Sequence, residues 1–114
     1  MNSVQVMGNL ARDPVIRATK TGRAVASFTV AVNRNYTTPQ GEQKELTDWI
    51  NVVAWGNLAE SVGNQLKKGM RVFVEGRLST RSYDTPEGQR RWVTEVVANF
   101  VALPLGNAHP SQPQ

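Results

Sequence analysis

An alternation of apolar and polar residues runs through most of this sequence, and it limits the possible folds more than any other feature. In one segment Ile50, Val52 and Ala54 fall at every second position. Side chains two residues apart lie on the same side of a β-strand, so this spacing predicts a strand with one apolar face. The same spacing predicts strands at residues 2–10, 24–33, 47–55, 70–83 and about 89–103.

One segment has the spacing of a helix instead. Leu58, Val62 and Leu66 form a single apolar stripe within residues 57–68. A short strand is also expected near 15–18, between two turns. The main elements are then three strands, a helix and two more strands. This order predicts an all-β fold with one helix, the five-stranded OB-fold barrel with the order β-β-β-α-β-β.

The length of 114 residues is most simply that of a single domain. We expect the OB-fold domain to occupy residues 1–103. The segment 104–114 has no charged residue other than His109 when protonated, and it is predicted to be a disordered polar tail. Within the domain, the polar segment 36–45 contains Pro39 and Gly41 and is predicted to form a loop.

The sequence lacks the usual ingredients of an enzyme or a metal site. It has no Cys, and its one His, His109, lies in the predicted tail. The phosphate-binding pattern GxxxxGK[ST], the zinc pattern HExxH and the nucleophile pattern GxSxG are all missing. We therefore expect no catalytic activity, no cofactor and no bound metal.

Charge and hydropathy suggest the kind of binding partner and the cellular location of the chain. It carries 13 Lys and Arg residues against 9 Asp and Glu residues, a balance that suits a polyanionic partner without identifying it. No apolar run approaches the roughly 20 residues that cross a bilayer, and no signal peptide is visible at the N-terminus. We expect no contact with a membrane and a cytoplasmic location, at the nucleoid.

Aromatic rings and arginines fall on the faces of the predicted strands that look away from the core. Trp49 and Trp55 share the face opposite the apolar one in residues 47–55. In residues 70–83 the apolar face holds Val72, Val74 and Leu78, and the other face holds Arg77, Arg81 and Tyr83. Exposed rings among cations are typical of sequence-independent binding to single-stranded nucleic acid, because every base can stack and every phosphate needs neutralising.

Packing between subunits can also account for some of these side chains. An outward ring can lie in a subunit interface, and we favour an interface or packing role for Phe73, which has no polar atom. Arg90 and Arg91 must point to opposite faces of a strand, so at most one of them joins Tyr83. Trp92 faces the same way as Arg90, and it either stacks on a base of the nucleic acid or packs against a neighbouring subunit. We favour packing for Trp92.

Several ordered motifs resemble those of the bacterial-type single-stranded DNA-binding proteins. They are V-x-V-x-G-N-L (4–10), D-P-x-x-R (13–17), G-x-A-V-A-x-F-T-V-A-V (22–32), T-D-W (47–49), V-V-A-W-G-N-L-A-E (52–60), K-K-G (67–69), V-x-V-E-G-R-L-x-T-R-S-Y (72–83) and T-E-V-V (94–97). Each motif is weak alone, but their order and spacing over residues 1–103 are specific.

The resemblance implies an OB fold, usually assembled as a homotetramer around which single-stranded DNA wraps. It implies base stacking on Tyr36, Trp49, Trp55 and Tyr83, with Tyr36 selected by resemblance alone. For phosphate contacts it suggests Arg34, Lys68 and Arg81, to which the strand faces add Arg77 and Arg90. The residues expected in subunit contacts are Val4, Val6, Arg71, Phe73 and Trp92.

The function that follows is sequence-independent binding that coats and protects exposed single strands in replication, recombination and repair. Such proteins commonly end in an acidic tip that recruits partners, whereas this sequence stops at Pro113-Gln114. Recruitment through an acidic tail is therefore not expected, either because the chain is truncated or because it is a short paralogue. One alternative is a dimeric primosome-type OB protein in replication restart. Another is a protein–protein adaptor, which would bury Trp49 and Trp55 in its unliganded assembly.

Overall fold

The computed structural model describes residues 1–106. The elements are β1 (Val4–Leu10), β2 (Val15–Ala18), β3 (Ala24–Thr37), β4 (Gln43–Trp55), α1 (Asn57–Gln65), β5 (Arg71–Asp84) and β6 (Arg90–Ala102). Most of the predicted tail, 104–114, lies outside the described residues, and so does the C-terminal end, where an acidic tip would lie. Both expectations stay predictions.

Five of the strands form a closed barrel. The sheet has the order β1-β5-β6-β4-β3-β2, and a further pairing of β1 with β3 closes the ring. All pairings are antiparallel except the parallel pairing of β4 with β6. The all-β class with one helix and the OB barrel are confirmed. The order is β-β-β-β-α-β-β, with one strand more than the predicted pattern, because β2 also pairs with the edge of β3.

The barrel is filled by the predicted apolar faces. Val52 and Ala54 of β4 and Val72 and Val74 of β5 are almost completely buried in one cluster with residues of the other barrel strands and α1. The helix ends at Gln65 rather than at the predicted residue 68, because Leu66 adopts an extended backbone that still buries its side chain. Within the described residues no helix is both long enough and apolar enough to cross a bilayer.

Two long hairpins project from the barrel, and the predicted loop at 36–45 is wrong. The β3–β4 ladder continues to the pair Thr37 and Gln43, so only residues 38–42 form the turn. The β5–β6 ladder likewise continues to Asp84 and Arg90. Residues 36–37 and 43–45 lie in strands, held by the backbone hydrogen bonds of the ladder. Both faces of this hairpin meet solvent, so its sequence shows no apolar alternation. We call these hairpins the β3–β4 arm and the β5–β6 arm.

Candidate nucleic-acid interface

One face of the sheet, turned away from the core, is continuous across four strands. Residues directly opposite each other in a ladder share a face. Val53 of β4 lies opposite Ser27 of β3 and, on its other side, Val97 of β6. Val97 in turn lies opposite Arg77 of β5. We call this surface the outer face. It carries Trp49 and Trp55 as well, because they alternate with the core residues of β4.

The β5–β6 arm extends the outer face and settles the orientation of the two consecutive arginines. Tyr83 lies opposite Arg91, so those two side chains share the outer face. Arg90 lies opposite Asp84 on the reverse face, where its Nε is 3.5 Å from Asp84 Oδ1. The sequence alone could not choose between Arg90 and Arg91, and the register places Arg91 beside Tyr83. The phosphate contact predicted for Arg90 stays a prediction, made from the opposite side of the arm.

The four predicted stacking rings differ in how much of each side chain is exposed and in the face on which it lies. Trp49 is 63% exposed and Tyr83 is 49% exposed, so both offer ring surface on the outer face. Trp55 is only half-exposed, and the guanidinium carbon of Arg23 lies 4.8 Å from the centroid of its ring. Tyr36 is exposed as well, but it lies opposite Lys44 and shares the alternate face of the β3–β4 arm. The structure therefore brings three of the four predicted stacking rings to one face.

A groove of about 370 Å³ lies on the outer face, lined by residues of β3, β4 and the β5–β6 arm. Arg12 and Arg81 line it, together with the carboxylates of Asp13 and Glu95. Its wall also includes the polar side chain of Asn51. Arg12 was not among the residues predicted from the sequence. It follows the first strand, where no alternation of apolar and polar residues indicates the direction of its side chain.

The predicted phosphate-binding cations differ in their partners. Arg81 donates from Nε to Glu95 Oε1 at 2.8 Å, and Arg34 donates from Nε to Asp48 Oδ2 at 3.0 Å. Arg34 lies opposite Leu46, on the same alternate face as Tyr36. Both ion pairs are largely open to solvent on the arginine side, so the guanidinium groups can still reach an anion.

Two further predicted cations make no ion pair within the described residues. Arg77 is exposed on the outer face opposite Val97. Lys68 follows the helix, and its backbone N–H donates to Asp13 Oδ1 at 2.8 Å. That bond ties the segment after α1 to the groove, since Asp13 lines the groove. Both side chains are exposed and free to approach a phosphate.

The predicted interface residues lie in several environments. Val4 and Val6 pack partly against the core, and they line an apolar cavity of about 160 Å³ together with Ile50 and Val96. Leu78, predicted on the core side, is exposed there and lines the same cavity. Arg71 donates from Nη1 to Asn9 Oδ1 at 3.3 Å.

Phe73 belongs to an exposed apolar patch that the sequence only partly indicated. It lies opposite Met7 of β1 and forms an edge-to-face pair with Phe100, with ring centroids 6.3 Å apart. Met7 and Phe100 are both exposed. Trp92 is far from this patch along the β5–β6 arm, opposite Ser82, and is 68% exposed. We call Met7, Phe73 and Phe100 the β1–β5–β6 patch.

This chain is similar in sequence and in fold to known proteins. The model of the single-strand binding protein family matches residues 1–104. The single-stranded DNA-binding protein of Halalkalibacterium halodurans is 52% identical over 101 residues, which make up 89% of this chain and 59% of that protein. The single-stranded DNA-binding protein A of Bacillus subtilis is 50% identical over 101 residues, which make up 89% of this chain and 58% of that protein.

These two relatives are longer proteins, and the chain spans less than two thirds of the length of each. A solved structure described as the Plasmodium falciparum SSB complex with ssDNA superposes with a TM-score of 0.80 at 31% identity, over 90% of this chain and 92% of that one. The family match covers every strand of the barrel and the helix. The chain therefore belongs to the single-strand binding protein family.

Proposed function

We propose that this protein binds single-stranded DNA without sequence preference. The observation that carries the proposal is the outer face, on which the exposed rings of Trp49 and Tyr83 lie among Arg77, Arg81 and Arg91. Rings accept any base by stacking, and arginines pair with phosphates that every nucleotide has. The names of the relatives and the ligand of the superposed structure support the same partner.

The groove offers a path for the backbone of the strand. Arg12 and Arg81 line it, and Trp49 and Tyr83 each lie two residues from a lining residue, Asn51 and Arg81, on the same strand. A strand lying along the groove can place its phosphates near the arginines and turn its bases onto the rings. Stacking contributes roughly 1–3 kcal/mol per base in sequence-independent single-strand-binding proteins, a group whose general examples include OB folds of this family. The cations add a contribution that weakens as salt rises.

Titration with dT oligonucleotides, followed by tryptophan fluorescence, tests the proposal. We expect quenching, because bases stack on Trp49, and an affinity that falls as salt rises. A series of oligonucleotide lengths gives the site size, and duplex DNA of the same length is the control. An unchanged fluorescence signal at low salt, or an affinity indifferent to salt, would contradict the proposal.

The ion pair of Arg81 and Glu95 leads to a prediction about charge in the groove. The Glu95 side chain is only 10% exposed and places a carboxylate beside the predicted phosphate path. Glu95→Gln keeps a hydrogen-bond acceptor for Arg81 but removes the negative charge. We expect binding of dT oligonucleotides to tighten by roughly two- to fivefold at low salt, with a smaller gain at high salt. Fluorescence anisotropy of a labelled oligonucleotide measures this change.

The control for that prediction is Glu87→Gln, which removes an exposed carboxylate from the turn of the β5–β6 arm. It changes the net charge equally, so a gain specific to Glu95→Gln reports position in the groove. Equal gains for the two variants would instead show a general charge effect. Weaker binding by Glu95→Gln would show that orientation of Arg81 matters more than repulsion.

We also propose a homotetramer that coats exposed strands at the nucleoid during replication, recombination and repair. Support comes from the exposed β1–β5–β6 patch and from β1, whose Val4–Gly8 segment pairs on one side only among residues 1–106. A dimer in solution would favour the alternative, a primosome-type protein. The adaptor alternative predicts buried tryptophans without any affinity for poly-dT. Mass measurement in solution and the titration above separate the three.

A further inference from the structure

Trp55 and Arg23 form a unit at the end of the outer face nearest β2. Trp55 lies opposite Val25, and Val25 lies opposite Arg17, so these side chains form one row across three strands. Arg23 places its guanidinium carbon 4.8 Å from the centroid of the Trp55 ring, a cation–π contact. Two arginines therefore accompany one tryptophan, and neither was selected from the sequence.

The backbone around Arg23 is held by several hydrogen bonds. The Thr19 N–H donates to the Arg23 carbonyl at 2.9 Å, and the Arg23 N–H donates to Thr19 Oγ1 at 3.1 Å. Gly22 has a positive φ of 84° and closes the turn by donating to the Thr19 carbonyl at 2.8 Å. Beside Trp55, the Gly56 N–H donates to the Ala24 carbonyl at 2.9 Å. The structure thus fixes both backbones between which the contact forms.

A guanidinium that lies over a ring keeps its hydrogen-bonding capacity. The contact uses the flat face of the group, whereas its N–H donors point outward in the plane and suit the oxygens of a phosphate. Arg23 and Arg17 make no ion pair within the described residues, so carboxylates do not occupy those donors. Holding the side chain on the ring also reduces the entropy lost when it binds an anion.

The position of this unit connects it to the groove. Val15 and Ser27, which lie opposite each other two residues away from the Arg17–Val25 pair, line the groove. A strand that follows the groove towards β2 therefore reaches Arg17 and Arg23 next. The covering of Trp55 by Arg23 also distinguishes this ring from Trp49, which is open to solvent.

We propose that Arg23, supported by the ring of Trp55, is a phosphate clamp that extends the single-stranded DNA path onto the β2 side of the barrel. Trp55 holds the guanidinium in place in addition to any stacking on the rest of its ring. Arg17 adds a second positive charge on the same row. This inference rests on the proposed function, and its ligand is the phosphodiester group of single-stranded DNA.

The first experiment compares Arg23→Ala, Arg23→Lys and Lys20→Ala in titrations with a dT oligonucleotide over a range of salt concentrations. Lys20 is exposed in the same turn and serves as the matched control for loss of one positive charge. We expect Arg23→Ala to weaken binding on the order of tenfold and to reduce the slope of log affinity against log salt by about 0.7, the value for one phosphate contact to a single strand. Arg23→Lys keeps the charge, so it should keep the slope and lose less affinity.

The second experiment follows Trp55 alone, in free protein that carries Trp49→Phe and Trp92→Phe. Adding Arg23→Ala to this background should make the remaining fluorescence more sensitive to quenching by acrylamide, because the ring loses its cover. The contact of Arg23 with Trp55 could instead serve only to stabilise the fold. In that case Arg23→Ala would give the same increase in acrylamide quenching and a lower Tm, but it would leave the salt slope of the first experiment unchanged. That combination would overturn the proposal.

The outcomes also distinguish this inference from the proposed function. Wild-type protein that binds the oligonucleotide, together with an Arg23→Ala variant of equal affinity and slope, overturns the clamp alone. Equal losses for Lys20→Ala and Arg23→Ala overturn it too, since they show a general charge effect. Absence of binding by the wild-type protein overturns both proposals. A reduced slope confined to Arg23→Ala supports the clamp.

Discussion

Replacing both Trp49 and Tyr83 by alanine should weaken binding of a dT oligonucleotide by a factor between about thirty and more than ten thousand. Of the three predicted stacking rings on the outer face, these two are the more exposed, at 63% and 49%. If each stacks one base, their removal costs roughly 2–6 kcal/mol in total. Because the substitutions change the tryptophan signal, binding is best followed by the anisotropy of a labelled oligonucleotide. The dependence on salt should stay close to that of the wild-type protein, since no charge is removed.

Two further variants make this prediction specific. Trp92→Ala removes an even more exposed ring, 68% open, from the reverse face of the β5–β6 arm. It should change the affinity by less than about threefold, because this ring does not face the groove. The pair Trp49→Phe and Tyr83→Phe keeps flat rings and should recover most of the binding. A large loss from Trp92→Ala at unchanged assembly, or a double alanine variant that binds like the wild type, would contradict the assignment of the outer face.

The parts of the fold that could be predicted are those in which one face of a strand is buried. Val52 and Ala54 alternate with residues outside the core, and the burial of one face makes that alternation visible in the sequence. The same reasoning identified Trp49 as an outward ring. It fails in the arms, where both faces meet solvent and no burial selects the residue type. The extent of the β3–β4 arm and the choice between Arg90 and Arg91 both depend on register, which only the paired backbone defines.

Other features depend on contacts between distant parts of the chain. Arg23 covers Trp55 although the two are 32 positions apart. Arg23 lies in the turn before β3, where no strand period indicates the contact. Leu78 follows the core pattern of β5, but it is exposed and lines a cavity instead of joining the core. The bond of Arg81 to Glu95 likewise joins two strands. A sequence can indicate the face of a strand on which a side chain lies, but it does not show which other side chain it contacts on that face.

The tetramer proposal gives the second large effect, a change of assembly state. We expect the wild-type protein to have the mass of four chains of 12.6 kDa each, about 50 kDa. Met7→Glu combined with Phe100→Glu places two charges in the β1–β5–β6 patch. If copies of the chain pack there, burying these charges costs several kcal/mol per interface, and the tetramer should separate into smaller species. Light scattering coupled to size-exclusion chromatography measures the mass.

The matched control is Leu46→Glu, because Leu46 is 43% exposed like Met7 but lies on the β3–β4 arm. This variant should keep the wild-type mass. A patch variant that also stays at the wild-type mass would place the subunit contacts elsewhere, and a wild-type dimer would favour the primosome-type alternative. The separated species still has a complete outer face, so it should bind a short dT oligonucleotide with nearly wild-type affinity. Binding of long strands should weaken much more, because wrapping requires several outer faces held together in one assembly.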